Sequence, residues 1–574
     1  MIRSLYQWMK PYRAHFGVGV LALALTNFFG YLVPQLVKSA IDMLGGNFDS
    51  HRLWLITLGI VGAAAIQAGI RVVSRLLIFN AARDVERDLR EALFAHLLSL
   101  SPQQLSERSV GDLQSRITND LTNVRLLFGA GVLNVANTIV AYAVAIPLML
   151  AQHPRLALIA LSPYPLMIVF MQLLARRIFT SSAETQARLG GISNLVNEDL
   201  GARLFIGAAG LGMLEERRFG AVNDSYLKAN LVLVRTRAIM IPVVTMIGST
   251  GVALSLWLGG REVIAGTMSL GTLVAFNTYL ALLAFPTVML GFFLAVVQRG
   301  LASYQRVDKL FQERPWASPA TAPLTPEGAL SVQHLSLKRG DNMVLQDISI
   351  DIPLGARIGI VGEVGSGKSS LLLALARLID VPEGTLLLDN LDVHDFPLRD
   401  VRRLTGYVPQ QPFLFSMSIA ENIAFGRSEL TREQIIAAAT LADLHKDIVT
   451  FPQGYETMVG ERGVTLSGGQ KQRLALARAL AVEPHVLLLD DCFSAVDTET
   501  ERNIIERLMG KARVRSMVIA SHRLSVFDHA DRIFVLDKGK LVEAGTTAEL
   551  LARNGAFARL YQRQRLRERV EEVA

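Results

Sequence analysis

The sequence predicts a multidomain membrane protein: an all-α membrane domain of six spans, followed by an α/β domain. Three observations carry that expectation. Of the 574 residues, 51% are hydrophobic and 19% charged, a balance too apolar for an ordinary soluble enzyme. The apolar residues crowd into the first half of the chain. Beyond them, short apolar strands alternate with helical segments, the pattern of an α/β domain, and a glycine-rich loop stands between one such strand and the next helix. A chain of this length divides into domains rather than forming one core.

Six stretches are long enough to cross a hydrocarbon core, which takes ~20 helical residues: 16–37, 53–79, 132–152, 156–175, 240–260 and 272–296. A basic amphipathic lead-in runs from Met1 to Arg13. With no small-residue cleavage site after it, the first stretch reads as an anchor rather than a removed signal. His153-Pro154-Arg155 makes a tight hairpin between the third and fourth spans. The Pro/Ala-rich stretch from Pro315 to Gly328 reads as a linker. The predicted division is therefore a membrane domain at 1–310, a linker at 311–328 and an α/β domain at 329–574.

The net charge of +7 does not point to nucleic acid, because no basic patch is interleaved with aromatics. Instead, the two long connections, 80–131 and 176–238, hold 15 Lys/Arg against 4 in the three short ones, which places the long connections inside the cell. Trp54 and Trp257 then fall at the outer interface, where amphipathic rings prefer to sit. Unstructured loops of this length are improbable, so the spans are expected to run on as helices, each pair joined by a short transverse helix. Arg71 and Arg75 lie four apart on one face of the second span. They either snorkel or pair at the interface, or they line a cavity for a negatively charged substrate. The single cysteine, Cys492, excludes an intrachain disulfide and reads as a buried small residue.

The chemistry sits in the α/β domain. Gly362-Glu363-Val364-Gly365-Ser366-Gly367-Lys368-Ser369 fits the phosphate-loop pattern. The short buried strand 358–361 precedes it and a helix over 369–379 follows, which is the context that pattern requires. Glycines let backbone N–H groups turn inward around phosphates, and the helix N-terminus adds its dipole. Lys368 is expected to reach the outer phosphates of ATP, the Ser369 hydroxyl to hold Mg²⁺, and Ser370 to complete the ATP-binding set. Residues 486–489 form a continuous apolar run, a strand buried on both faces, which delivers Asp490 to the Mg²⁺ shell. In Leu466-Ser467-Gly468-Gly469-Gln470, two glycines open the predicted helix 471–480, a second anion site at a helix N-terminus.

Together the phosphate loop, Leu466–Gln470 and the Asp490-Asp491 pair resemble the nucleotide-binding domain of an ABC transporter, and the spans upstream resemble the membrane half of the exporter type. The resemblance implies a role for each further residue. Gln410 corresponds to the glutamine that touches the metal and the membrane-domain interface. His522 corresponds to the switch histidine of the γ-phosphate, although alone it would read as a core histidine. Ser494 and Asp497 fall in the D-loop, and residues 457–463 match the X-loop of exporters. Residues 106–120 and 208–213 occupy the places of the two coupling helices. Leu466–Gln470 is the signature, which closes on ATP held by a partner's phosphate loop, so the chain must dimerise to build complete sites.

Two departures affect only this chain's own site. Asp491 stands where the family carries the glutamate that polarises the attacking water, and the stretch 335–340 lacks the usual aromatic for adenine. The resemblance then implies one half of a heterodimeric bacterial exporter of multidrug or lipid type, with a weakly hydrolytic site of its own and an intact signature for its partner. ATP and Mg²⁺ are the implied cofactors, and a hydrophobic, lipid or peptide molecule the implied substrate. Its implied place is the bacterial inner membrane, with both termini and the ATPase domain cytosolic. A homodimeric exporter with slow hydrolysis, an ATP-gated channel or regulatory subunit, and an importer on the same fold are the alternatives.

Overall fold

In the computed structural model of the chain, the described residues are 2–44, 49–106, 108–316, 327–340, 342–427, 429–460, 466–511 and 514–573. Most of the expected linker (317–326) and the end of the X-loop segment (461–463) lie outside them. The chain divides into two compact units, residues 1–98 with 108–313, and 99–107 with 314–574.

Six long helices build the first unit: α1 (Arg3–Leu44), α2 (Ser50–Ser99), α3 (Val110–Gln152), α4 (Pro154–Gly201), α5 (Gly212–Ile264) and α6 (Leu270–Phe311). Each contains a window apolar enough to cross a membrane. At 1.5 Å per residue, α2 with its 50 residues is about 75 Å long, well beyond a hydrocarbon core of about 30 Å. The helices therefore continue far past their apolar stretches. The α3–α4 turn needs a single residue: His153 is extended, and its Nδ1 accepts the Leu156 N–H at 3.3 Å. Short helices, Pro102–Ser106 and Arg203–Ala208, stand in the two long connections.

The centre of the bundle packs small residues against aromatic ones. Ala141, Ala145, Ala157 and Ala160 let backbones approach, and Tyr31, Tyr164, Phe276 and Tyr279 fill the space between. Two hydroxyls inside the bundle are satisfied there, whereas buried Ser255 Oγ of α5 has no partner among the described residues. Tyr164 donates to the Leu280 carbonyl at 2.6 Å, and Tyr142 shares a hydrogen bond with Thr287 Oγ1 at 2.6 Å. Leu55, Leu58, Val61, Val72 and Val73 of α2 are exposed, as apolar residues of a membrane-spanning helix can be. Near its start α3 widens into a π-helical turn over Arg116–Asp120. There the buried Asp120 accepts two hydrogen bonds from Arg306 of α6, one from Nε at 2.8 Å.

Two sheets form the second unit. The strands are β1 (Leu330–Arg339), β2 (Asn342–Ile352), β3 (Arg357–Gly362), β4 (Leu386–Leu388), β5 (Leu391–Asp392), β6 (Thr405–Val408), β7 (Val486–Asp490), β8 (Ser516–Ala520), β9 (Arg532–Asp537) and β10 (Lys540–Gly545). The larger sheet runs β10-β9-β3-β8-β7-β6, parallel except for its β10 edge. The smaller, β2-β1-β4-β5, is antiparallel. Strict strand–helix alternation does not predict that second sheet: β1 and β2 pair directly through a hairpin at Gly340. Strand β7 is buried along its whole length, because helices cover both faces of a parallel sheet. In the strand order, β3 and β8 put the phosphate loop and His522 at neighbouring carboxyl ends, and β7 adds Asp490.

Candidate nucleotide site

Strand β3 ends at Gly362, and the loop turns into helix α7 (Lys368–Leu375). The helix is shorter than the predicted 369–379, because the chain leaves it at Ala376 and Arg377 adopts a positive φ of 48°. Gly367 explains one glycine: its φ is 101°, and a Cβ there would lie 2.9 Å from the Val344 carbonyl oxygen. Lys368 is buried, and its ammonium donates to the carbonyls of Gly362 at 2.8 Å and Glu363 at 2.9 Å. Burial lowers its pKa, while Asp491 and Asp490 pull the other way.

A cavity of about 240 Å³ is lined by Val364 through Ser370 together with Gln410, Asp490, Asp491 and His522. Of the residues predicted for this chain's own phosphate site, Val364 to Ser370, Gln410, Asp490, Asp491 and His522 line this cavity, whereas Gly362 and Glu363 line a neighbouring one. Buried Asp490 accepts from Ser369 Oγ at 3.0 Å and from the Tyr407 hydroxyl at 3.2 Å. Burial pushes its carboxyl above the usual range, against the pull of those two hydrogen bonds. A divalent cation there would reverse that sign. Asp491 takes a positive φ of 46°, and its N–H is anchored on the Ala520 carbonyl at 2.7 Å. Its carboxylate accepts from Gln410 Nε2 at 3.3 Å and from the His522 backbone N–H at 3.4 Å. Partial burial and then Lys368 hold the His522 imidazole below its ordinary pKa, favouring the neutral ring. Cys492 is fully enclosed and burial pushes its thiol up, consistent with an inert core residue.

Leu466–Gln470 do not line that cavity. Helix α8 (Gly468–Leu480) starts three residues before the predicted 471, because Ser467 and Gln470 close a capping box. Ser467 Oγ accepts the Gln470 N–H at 3.3 Å, and Gln470 Oε1 accepts the Ser467 N–H at 3.0 Å. The Ser467 hydroxyl proton is left free to point outward. Gly469 is required by close approach: a Cβ would stand 2.8 Å from the Ala495 carbonyl oxygen. The loop carrying Ser494 and Asp497 is thus pressed against the signature helix. Ser494 Oγ accepts from Gln472 Nε2 at 2.8 Å, and Asp497 accepts the Thr500 N–H at 2.9 Å to start α9 (Thr498–Lys511).

Several positioning residues escape sequence inspection. Tyr407 reaches Asp490 because β6 pairs with β7. Buried Gln472 also accepts the Ala495 N–H at 2.9 Å. Arg523 donates to the Val496 carbonyl at 2.7 Å and to Glu501 at 2.8 Å. The terminal run predicted as a solvated helix end belongs to α10 (Ala556–Val573) and partly packs. Gln564 Oε1 accepts the Leu524 N–H at 3.0 Å, and Arg563 meets Glu363 of the phosphate loop at 3.1 Å.

These residues fit a magnesium nucleotide. Ser366 Oγ is buried with no hydrogen-bond partner among the described residues, and Ser369 with Asp490 presents the hard oxygen donors that Mg²⁺ takes. Fold and site together define a P-loop ATPase domain in one polypeptide with a membrane domain. Residues 16–287 match the ABC transporter transmembrane region, and residues 345–494 match the family model described as ABC transporter. The probable multidrug resistance ABC transporter ATP-binding/permease protein YheI of Bacillus subtilis is 33% identical over 99% of this chain and 98% of its own length. An ATP-dependent lipid A-core flippase of Nitrosococcus oceani is 33% identical over 98% and 95%. The multidrug resistance-like ATP-binding protein MdlA of Escherichia coli is 31% identical over 98% and 96%. Among solved structures, a bacterial Atm1-family ABC exporter with ATP bound superposes with a TM-score of 0.82, at 27% identity over 96% of this chain and 99% of that one. The chain belongs to the ABC transporter family, as a membrane domain fused to an ATP-binding domain. It is an integral multi-pass membrane protein that hydrolyses ATP to drive transport.

Proposed function

We propose that the chain is one half of a bacterial inner-membrane exporter, that it works with a different but similar subunit, and that it carries the weaker of two ATP sites. The observation that supports this reading is Asp491. It stands beside Asp490 and Ser369 in an otherwise intact phosphate site, where one methylene fewer withdraws a carboxylate by about 1.5 Å, and misplacement of that order costs about 10²-fold in rate. The signature residues 466–470 are meanwhile undamaged and sit outside this chain's own cavity, available to a second nucleotide-binding domain.

The division of labour follows from the side chains. The loop N–H groups and Lys368 hold the phosphates of ATP. Ser369 and Asp490, with Gln410 at the edge, would hold Mg²⁺, which when bound neutralises charge on the outer phosphates. Neutral His522 stands ready to hydrogen-bond the γ-phosphate, and Asp491 orients water poorly. Closure of two such domains draws the coupling segments with it. The short helix lies at Arg203–Ala208, ahead of the expected 208–213, and suits that task, since Leu204 and Phe205 are 91% and 69% exposed there and apolar enough to seat in a partner's groove. Relatives named for multidrug export and lipid A flipping favour a hydrophobic or amphipathic substrate. Both termini and the ATP-binding domain then lie in the cytosol.

Inside-out vesicles carrying the complex should accumulate a fluorescent amphiphile against its gradient when given ATP and Mg²⁺. Equilibration without accumulation would mark a channel and refute the exporter reading.

A further inference from the structure

The membrane unit holds a cavity of about 290 Å³ walled by α1, α2, α3 and α6. Leu133, Leu282 and Phe285 make part of its wall apolar, while Gln67, Arg71 and Arg75 of α2 face Asn27 of α1 and Asn134 and Asn137 of α3. The two arginines follow each other at i, i+4, so their like charges repel on one helix face. Among the described residues no acidic one lines the cavity, and neither guanidinium has an ion-pair partner. Snorkelling along lipid does not account for them, because both line a cavity between four helices of the bundle.

The amides complete a donor-rich wall. Asn27 Nδ2 donates to Asn137 Oδ1 at 3.0 Å and to the Leu23 carbonyl at 3.0 Å, which uses the Asn137 oxygen and leaves its NH₂ free. Gln67 is let in by Gly30, where a Cβ would lie 2.3 Å from Gln67 Nε2. Two unpaired guanidiniums and side-chain amides, with no carboxylate among them, match the planar oxygens of a phosphate or carboxylate. In a membrane, such a cationic wall is retained where it serves a substrate path.

We propose that this cavity receives the anionic head group, phosphate or carboxylate, of the amphiphile that the transporter carries, with the tail along Leu133, Leu282 and Phe285. The proposal rests on the exporter reading for the word substrate, but its binding test does not. The full-length complex, in phosphatidylcholine nanodiscs without nucleotide, is titrated with dodecyl phosphate, dodecyl maltoside and dodecyl trimethylammonium. Dodecyl phosphate should bind about tenfold tighter or more than the other two. Arg71→Gln with Arg75→Gln should abolish that preference, whereas Arg71→Lys with Arg75→Lys should keep most of it. Equal affinities for the three head groups in the wild type, or an undiminished preference in the glutamine variant, overturns the proposal. Displacement by inorganic phosphate would point to a soluble anion as the source, and resistance to it to a lipid-borne head group; both outcomes keep the anion site. Because ATP is absent, failure here leaves the exporter reading standing, and failed accumulation in vesicles leaves this site standing.

Discussion

At the scale of single residues, the proposed weakness of the ATP site turns on backbone as well as side chain. Asp491 occupies left-handed backbone space at φ 46°, a conformation that short polar side chains tolerate better than longer ones. Replacing it by glutamate restores the missing methylene at a left-handed backbone cost of about 1–2 kcal/mol, below the roughly 2.7 kcal/mol of a 10²-fold rate effect. Asp491→Glu should therefore raise hydrolysis at this chain's own phosphate loop, read by nucleotide trapping on this subunit. If the other site carries turnover, as proposed, Asp491→Ala should barely change steady-state ATPase of the complex. A collapse as deep as that from losing the partner's glutamate would sink the weak-site reading. The residues that bear on this test were legible to different degrees. Lys368, Ser369 and Asp490 belong to local motifs, where spacing alone dictates chemistry. Tyr407, Gln472 and Arg523 act across strand pairs and turns that no local pattern encodes, so only the fold reveals that Tyr407 holds Asp490 and Gln472 holds Ala495.

At the scale of elements, the signature helix has two duties, and a test must separate them. Ser467 caps α8 through a complete capping box, worth about 1 kcal/mol of stability. Its hydroxyl proton is also the group a partner's nucleotide would meet. Ser467→Ala should lower the melting temperature slightly and leave most of the ATPase. Ser467→Arg adds a bulky cation where the γ-phosphate would sit. It should abolish most hydrolysis in the complex while nucleotide stays bound to this chain's own loop. Loss of nucleotide from this chain's own site would show that the roles of the two half-sites are wrongly assigned. Gly469→Ala gives a structural comparison, because its Cβ collides with the Ala495 carbonyl oxygen and should displace the Ser494–Asp497 loop. Element types were readable where burial leaves continuous apolar runs, as in β7 and β8. Their ends were not, because capping decides them: the Ser467–Gln470 box starts α8 early, and the left-handed Arg377 follows an early end to α7. The antiparallel sheet escaped notice because a hairpin at Gly340 carries no helix to break the pattern.

At the scale of the whole molecule, the hydropathy of six helices and the order of the motifs were enough to foresee a membrane domain joined to an ATPase domain. That Arg71 and Arg75 line a cavity was one of the readings the sequence left open, and the fold decides it by bringing together four helices distant in sequence. The same reasoning about distance governs assembly. One phosphate loop and one signature lie on each chain, and the signature does not line the chain's own ATP cavity, so each complete site takes its halves from two chains. Two copies of this chain would make two sites that both rely on Asp491, each expected to turn over slowly. Pairing with a similar subunit that carries glutamate would instead give one slow site and one fast one, the fast one completed by Ser467 and its neighbours here. Expressed alone, the chain should show low ATPase and poor transport. Expressed with such a subunit, it should co-purify one to one on a tag carried by either chain, and ATPase should rise by about 10²-fold if the carboxylate position is the limit. A stable homodimer that hydrolyses ATP briskly and pumps unaided would show that an aspartate at this position suffices, and the heterodimer reading would fall with it.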